Sequence, residues 1–192
     1  MKEIVIATNN KGKVKEIKEI FEEYELLTLK DINCEIDVIE DQDTFEGNSK
    51  KKAKEISEIT KMPCIADDSG LCIDKLDGWP GVYTARFLGE NTTVRQRNEA
   101  ILEKMKNIKD DERIARVICV ISYYYNEKLI TTKGEIIGKI STEPRGENGF
   151  GFDEIFELDN GKTLAELSQE EKNNISSRKI ALEKLKKELT NI

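Results

Sequence analysis

Histidine is absent from all 192 residues, which excludes every His-based catalytic triad and the usual zinc ligand sets. Catalysis on this chain must therefore run on carboxylates, lysine, arginine or a hard metal ion. Cysteine is sparse: Cys34, Cys64, Cys72 and Cys119 form no C-x-x-C pair, so the common thiolate metal and redox motifs are excluded too. Cys64 and Cys72 sit in apolar, strand-like stretches, and all four read as small buried hydrophobes in a reducing compartment, without a disulfide. No window approaches the roughly 18 apolar residues of a membrane span, and the opening MKEIVIAT is too short for a signal peptide's apolar segment. These absences predict a cytoplasmic, unprocessed protein with no membrane partner. Long blocks of one charge are missing as well. Lys and Arg total 31 against 38 Asp and Glu, a net charge of −7, which repels long polyanions and disfavours a stable nucleic-acid complex. A small basic pocket for a free nucleotide remains compatible with that balance.

Apolar residues at 38% and charged residues at 36% describe a foldable chain with a heavily charged surface. The length predicts one domain over residues 1–192, and no repeat, linker or low-complexity tract interrupts it. Glu3 to Ala7 is a short β-branched run, followed by polar residues and then by Val14, Ile17, Ile20 and Phe21 at helical spacing. A second strand is predicted near Tyr24 to Leu29. Asp43-x-x-Glu46 predicts the cap of a helix running through Thr60, with Phe45, Ala53, Ile56 and Ile59 on its inner side. Cys64 to Ala66 leads into Asp67-Asp68-Ser69-Gly70, and Leu71 to Ile73 forms another apolar run before a turn-rich stretch over 77–81. A helix is predicted over 92–108, with Ala100, Ile101, Met105 and Ile108 inward. Two long strands follow, over 113–125 and 128–140, separated by the hairpin signal Asn126-Glu127. A glycine-dense loop over 146–153, a short run Ile155-Phe156 and a final helical region opened by Ser168-x-x-Glu171 complete the chain. In this order the elements predict an α/β fold with a long twisted sheet flanked by helices.

Five places carry candidate chemistry. Thr8-Asn9-Asn10-Lys11-Gly12-Lys13 lies between a strand and a helix, where free N–H groups and the helix dipole favour phosphate, although a solvated turn fits the same residues and no Walker A motif is present. Asp67 and Asp68 follow an apolar strand directly, so their charges approach the sheet interior and call for a cation; a plain Asp-Ser-Gly turn is the alternative. If strand geometry persists through them, the two carboxylates face opposite ways and do different jobs. One of Glu35, Asp37, Glu40, Asp41 and Asp43 can complete an oxygen site for Mg²⁺, and spacing does not choose among them. Gly149-Phe150-Gly151-Phe152-Asp153 combines backbone freedom, two aromatics and a carboxylate, the parts needed to stack a base and read its edge, or to anchor a core. Arg178 falls within the apolar stripe of Ile175, Leu182 and Leu185 and therefore needs a buried anion or polar partner.

The combination resembles the inosine triphosphatase, or non-canonical purine NTP pyrophosphatase, family. The resemblance runs from Ile6–Lys13 through Ile65–Leu71, Gly78–Arg86, Gly149–Phe156 and Ala165–Lys172 into Ile175–Arg178. It implies a mixed sheet with two lobes around a central cleft, Mg²⁺ as cofactor, a homodimer, and hydrolysis of ITP, dITP and XTP to monophosphate and pyrophosphate. By the same resemblance, Thr8, Asn9, Asn10, Lys11, Gly12 and Lys13 hold the triphosphate. Asp68 is general base and metal ligand, with Glu40 the second metal carboxylate. Ser69 and Lys172 touch phosphate or ribose; Phe150, Gly151, Phe152 and Asp153 form the base pocket, with Ser177 and Arg178 at its edge. The family usually has Ser-His-Arg where this chain reads Ser176-Ser177-Arg178. Selectivity for a 6-keto purine is expected from Arg178 as a donor, since adenine presents an amino donor there. Alternatives are a pyrophosphatase for modified pyrimidine triphosphates and a non-catalytic nucleotide-binding module.

Overall fold

Ile4 and Ile6 point to one face of the first strand and Val5 and Ala7 to the other, and all four are buried. A strand apolar on both faces belongs inside a sheet covered on both sides. The computed structural model describes residues 3–89 and 91–190. Its elements in chain order are β1 (Glu3–Ile6), α1 (Lys11–Ile20), β2 (Glu25–Thr28), α2 (Phe45–Thr60), β3 (Cys64–Ile73), α3 (Val94–Met105), β4 (Ile114–Tyr125), β5 (Lys128–Ile140), β6 (Phe156–Glu157), α4 (Gln169–Ile175) and α5 (Ser177–Thr190). The six strands form one mixed sheet in the order β2-β1-β3-β4-β5-β6, parallel where β1 meets β2 and β3 and antiparallel where β5 meets β6.

The chain divides into two compact units. The first comprises the residues up to Ser69, Cys119–Gly134 and those from Ser177 onward; the second comprises Gly70–Ile118 and Glu135–Ser176. In the first unit, Ile4, Ile6, Ile17, Phe21 and Ile65 pack with Ala181, Leu182 and Leu185, so α1 and α5 cover one face of the sheet. On the other face, Val5, Ala7, Cys64 and Ala66 pack with Ala53 and Ile56 of α2. Fully buried side chains such as Phe21 and Ile17 each contribute about 1.5–3 kcal/mol of transfer free energy. The second unit has its own core, in which Leu71, Ile73, Ala115, Val117 and Phe156 meet Ile101 and Met105 of α3.

Several boundaries differ from the sequence expectation for identifiable reasons. Thr44 rather than Asp43 caps α2, accepting from the Gly47 N–H at 3.0 Å, because Phe45 must occupy the first turn to reach the core. Ile59 is 52% exposed; it lies in line with Asn48 and Lys52, on the polar edge of α2, not with Ala53. Lys11, Gly12 and Lys13 form the first turn of α1 instead of a loop. Cys34 and Cys72 are only half-buried, whereas Cys64 and Cys119 are fully buried, and none of the four is in a disulfide. The final helical region is two helices, α4 and α5, separated at Ser176. The hairpin signal holds: Asn126 and Glu127 both have positive φ, the geometry of the two-residue turn between β4 and β5.

Candidate functional site

The apolar, acidic and apolar segments from Cys64 to Ile73 are one continuous strand, so Asp67-Asp68-Ser69-Gly70 is extended and not a turn. Extended backbone sends Asp67 and Ser69 to one face and Asp68 to the other. Their partners differ accordingly, and all of those described next belong to the first unit.

Asp67 is buried to 1% exposure, and its Oδ2 accepts from Lys13 Nζ at 2.9 Å and from Arg178 at 3.1 Å. Burial works against the charge of Asp67, but Lys13, Arg178 and Lys52 outweigh it and hold the carboxyl well below the usual range. Lys13 reaches this position because Asn10 caps α1, its Oδ1 accepting from the N–H groups of Gly12 and Lys13 at 2.9 and 3.3 Å. Thr8 Oγ1 in turn accepts from Asn10 N–H at 3.2 Å. Arg178 enters from the start of α5, where it donates to Glu16 at 3.0 Å and to Ser69 Oγ at 3.1 Å as well as to Asp67. The buried guanidinium anticipated from the helical stripe thus finds two carboxylates. Ser177, beside it, is buried, and its backbone lies so close to Gly134 that a Cβ there would fall 1.9 Å from the Ser177 carbonyl oxygen.

Asp68, on the opposite face, has no ion pair among the described residues. Its Oδ2 accepts from Asn48 Nδ2 at 2.9 Å and its Oδ1 from the Ser69 N–H at 2.9 Å. Burial, and after it the neighbouring Glu40 carboxylate, push its pKa up to about 6 despite the Asn48 hydrogen bond. Glu40 pairs with Lys52, which also donates to the Asp67 carbonyl oxygen at 3.0 Å. Asn48 joins the two acidic segments, because its Oδ1 accepts from Gln42 N–H at 3.0 Å while its amide reaches Asp68. Asn48 and Lys52 are four residues apart on α2 and share a face.

The remaining sequence candidates lie in the second unit. Phe150 is 52% exposed, with Lys172 Nζ 4.2 Å from its ring centroid. Asp153 is buried, accepts from Phe150 N–H at 2.6 Å and pairs with Lys172 at 2.5 Å. Gly149 has φ +84°, and a Cβ there would lie 2.1 Å from Asp153 Oδ2, so both conformation and space require glycine. The Gly151 carbonyl accepts from Asn98 at 3.0 Å, and Phe152 turns inward toward Phe156 with a centroid separation of 6.4 Å.

Three residues that sequence reasoning did not place in a site are prominent here: Glu16, Asn48 and Lys52. An Asn followed by Lys at i+4, at the border of the apolar stripe of α2, was the readable signal for two of them. Among the described residues no group of three or more Cys, Asp and Glu is gathered as a metal cage. Asp68 and Glu40, whose carboxylate charges act on one another, are the two residues that could hold a Mg²⁺ ion, which typically takes one or two protein carboxylates and further oxygens from water and phosphate.

The Ham1 family model matches residues 4–188. The dITP/XTP pyrophosphatase of Bacillus subtilis (strain 168) is 45% identical over 191 residues, covering 97% of this chain and 96% of that protein. That of Clostridium perfringens (strain 13 / Type A) is 45% identical over 202 residues, covering 100% and 99%. Among solved structures, the Staphylococcus aureus Ham1 protein matches with a TM-score of 0.92 at 39% identity, over 99% of both chains. A HAM1 protein from Coxiella burnetii matches with a TM-score of 0.93 at 38% identity, over 100% of both.

Proposed function

The chain belongs to the Ham1 family, and on that premise we propose that it is a pyrophosphatase that hydrolyses non-canonical purine nucleoside triphosphates such as ITP, dITP and XTP to monophosphate and pyrophosphate. The observation that carries the reading to particular residues is the under-neutralised carboxylate Asp68, with Glu40 beside it and two ammonium groups, Lys13 and Lys52, close enough to influence its charge. Hard oxygen donors such as these two carboxylates fit Mg²⁺. When bound, Mg²⁺ supplies charge neutralisation and a template for phosphate oxygens.

Asp68 takes the proton of the water that attacks the α-phosphorus, with pyrophosphate as leaving group. Its carboxylate is oriented for this by Asn48 and by the Ser69 N–H. Lys13 and Lys52 absorb charge that builds on phosphate oxygens, and the capped N-terminus of α1, with Thr8, Asn9, Asn10, Lys11 and Gly12, offers N–H groups to the same anion. Ser69 and Lys172 are assigned to phosphate or ribose. For the base, Phe150 offers an exposed aromatic face, steadied by Lys172 and by the Asp153 cap of its backbone. Gly151, Phe152 and Asp153 shape that loop, with Ser177 and Arg178 assigned to the base edge. Arg178 already donates to Asp67, Glu16 and Ser69, so a 6-keto oxygen would have to draw a donor from that set.

The intact Lys13, Asp68 and Glu40 set favours catalysis over a purely binding module. A homodimer rests on the sequence resemblance, and a cytosolic location on the sequence expectation. Among the described residues no helix is long and apolar enough to cross a membrane. Pyrophosphate release with Mg²⁺ over ITP, dITP, XTP, GTP, ATP and modified pyrimidine triphosphates tests the reading. Highest efficiency on ITP and XTP is expected, and equal efficiency on ATP and ITP would overturn the purine selectivity.

A further inference from the structure

The first unit gathers four carboxylates, Glu16, Glu40, Asp67 and Asp68, against three cations, Lys13, Lys52 and Arg178. The cations are not held alike. If Lys13 leaves Asp67 for a phosphate, Asp67 keeps Arg178 at 3.1 Å. Lys52, in contrast, is held by the side chain of Glu40 and by a backbone carbonyl, and it is mostly buried, with 13% of its side chain exposed. Glu40 therefore faces two demands, one from Lys52 and one from the divalent ion assigned to it above.

We propose that the Glu40–Lys52 ion pair couples divalent-cation binding to triphosphate binding, so that the site takes the two together and either alone poorly. The inference rests on the pyrophosphatase reading and adds to it a linkage between the two ligands. A dication shared on the Glu40 carboxylate faces the Lys52 ammonium at short range, and that repulsion weakens ion binding while no anion is present. A triphosphate arriving without the ion meets the negative charge of Glu40 and Asp68 and finds Lys52 engaged. With both present, Lys52 turns its flexible stem toward a phosphate oxygen and Glu40 keeps the ion, so every charge retains an opposite partner. Linkage makes the effect reciprocal: each ligand raises the affinity of the other by the same factor.

Calorimetric titration of the full-length protein with α,β-methylene-ITP, in EDTA and in excess Mg²⁺, tests this. In EDTA, Glu40→Gln is expected to tighten analogue binding by about tenfold, because Lys52 is released, and to remove most of the Mg²⁺ enhancement. That tightening should disappear in the Lys52→Met background. Lys52→Arg, which keeps the charge, should retain it, and thermal melts of each variant establish that it is folded. Unchanged metal-free affinity in Glu40→Gln, or equal tightening with and without Lys52, would overturn the coupling, the second result meaning simple relief of repulsion. Failure of the wild-type protein to release pyrophosphate from ITP would instead remove the reading beneath it. Intact release with independent binding of analogue and Mg²⁺ would remove the coupling alone.

Discussion

Asp67 and Asp68 are chemically identical neighbours on β3, yet the two faces of the strand give them opposite characters. Asp67 lies between Lys13 and Arg178 and stays ionised well below the usual range. Asp68 lies against an amide, a backbone N–H and a second carboxylate, and its pKa is raised to about 6. The difference comes from what α1, α2 and α5 bring to each face. It separates an anion whose charge is spent on holding cations in place from one that no cation pairs among the described residues, the carboxylate proposed above as the reactive one.

The largest way to sharpen the contrast is metal removal. EDTA is expected to reduce pyrophosphate release from ITP to background, and Mg²⁺ to restore it, because Asp68 has no ion pair of its own among the described residues. The next is Asp67→Asn, which leaves the buried Arg178 and the partly exposed Lys13 short of one charge and should destabilise the protein by about 3–5 kcal/mol in urea unfolding. A loss under 1 kcal/mol would mean that Asp67 does not hold that face together.

The pH dependence of stability provides a third test. Asp68 has a folded pKa of about 6 against an ordinary 3.8, so the folded state binds its proton more tightly. Its contribution to stability is fully present below about pH 4 and is lost as pH rises through 6, a change of at most about 3 kcal/mol. Urea midpoints measured in EDTA between pH 4 and 7 should therefore fall for wild type relative to Asp68→Asn, which lacks this titration. Parallel profiles would contradict the raised pKa. The smallest expected effect lies in the second unit: Phe150→Ala should raise KM for ITP by about tenfold, the loss of one stacking contact, with little change in melting temperature because the ring is half exposed.

Much of this molecule was legible in its residues. The β-branched run through Ile4, Val5 and Ile6, the capping box at Ser168 and Glu171, and the Asn126-Glu127 turn are local signals, and they were readable because each is fixed by neighbours in sequence. The buried position of Arg178 was also visible from helical spacing, but its partners were not, since Glu16 and Asp67 lie 162 and 111 residues away. For the same reason spacing did not choose among the five nearby acids. What sets Glu40 apart from the others, its pairing with Lys52 of α2 and its effect on Asp68, depends on how the segment folds back on the helix. Ile59 misled because helical spacing gives direction around an axis and not whether another element covers that direction.

One measurement bears on the central claim more directly than any other: turnover of ITP by Asp68→Asn and Asp67→Asn side by side, with the melting temperature of each. The account predicts that Asp68→Asn loses pyrophosphate release while melting at or above the wild-type temperature, and that Asp67→Asn melts well below it. Near-wild-type turnover by Asp68→Asn would contradict the assignment of the reactive carboxylate and the division of labour across β3.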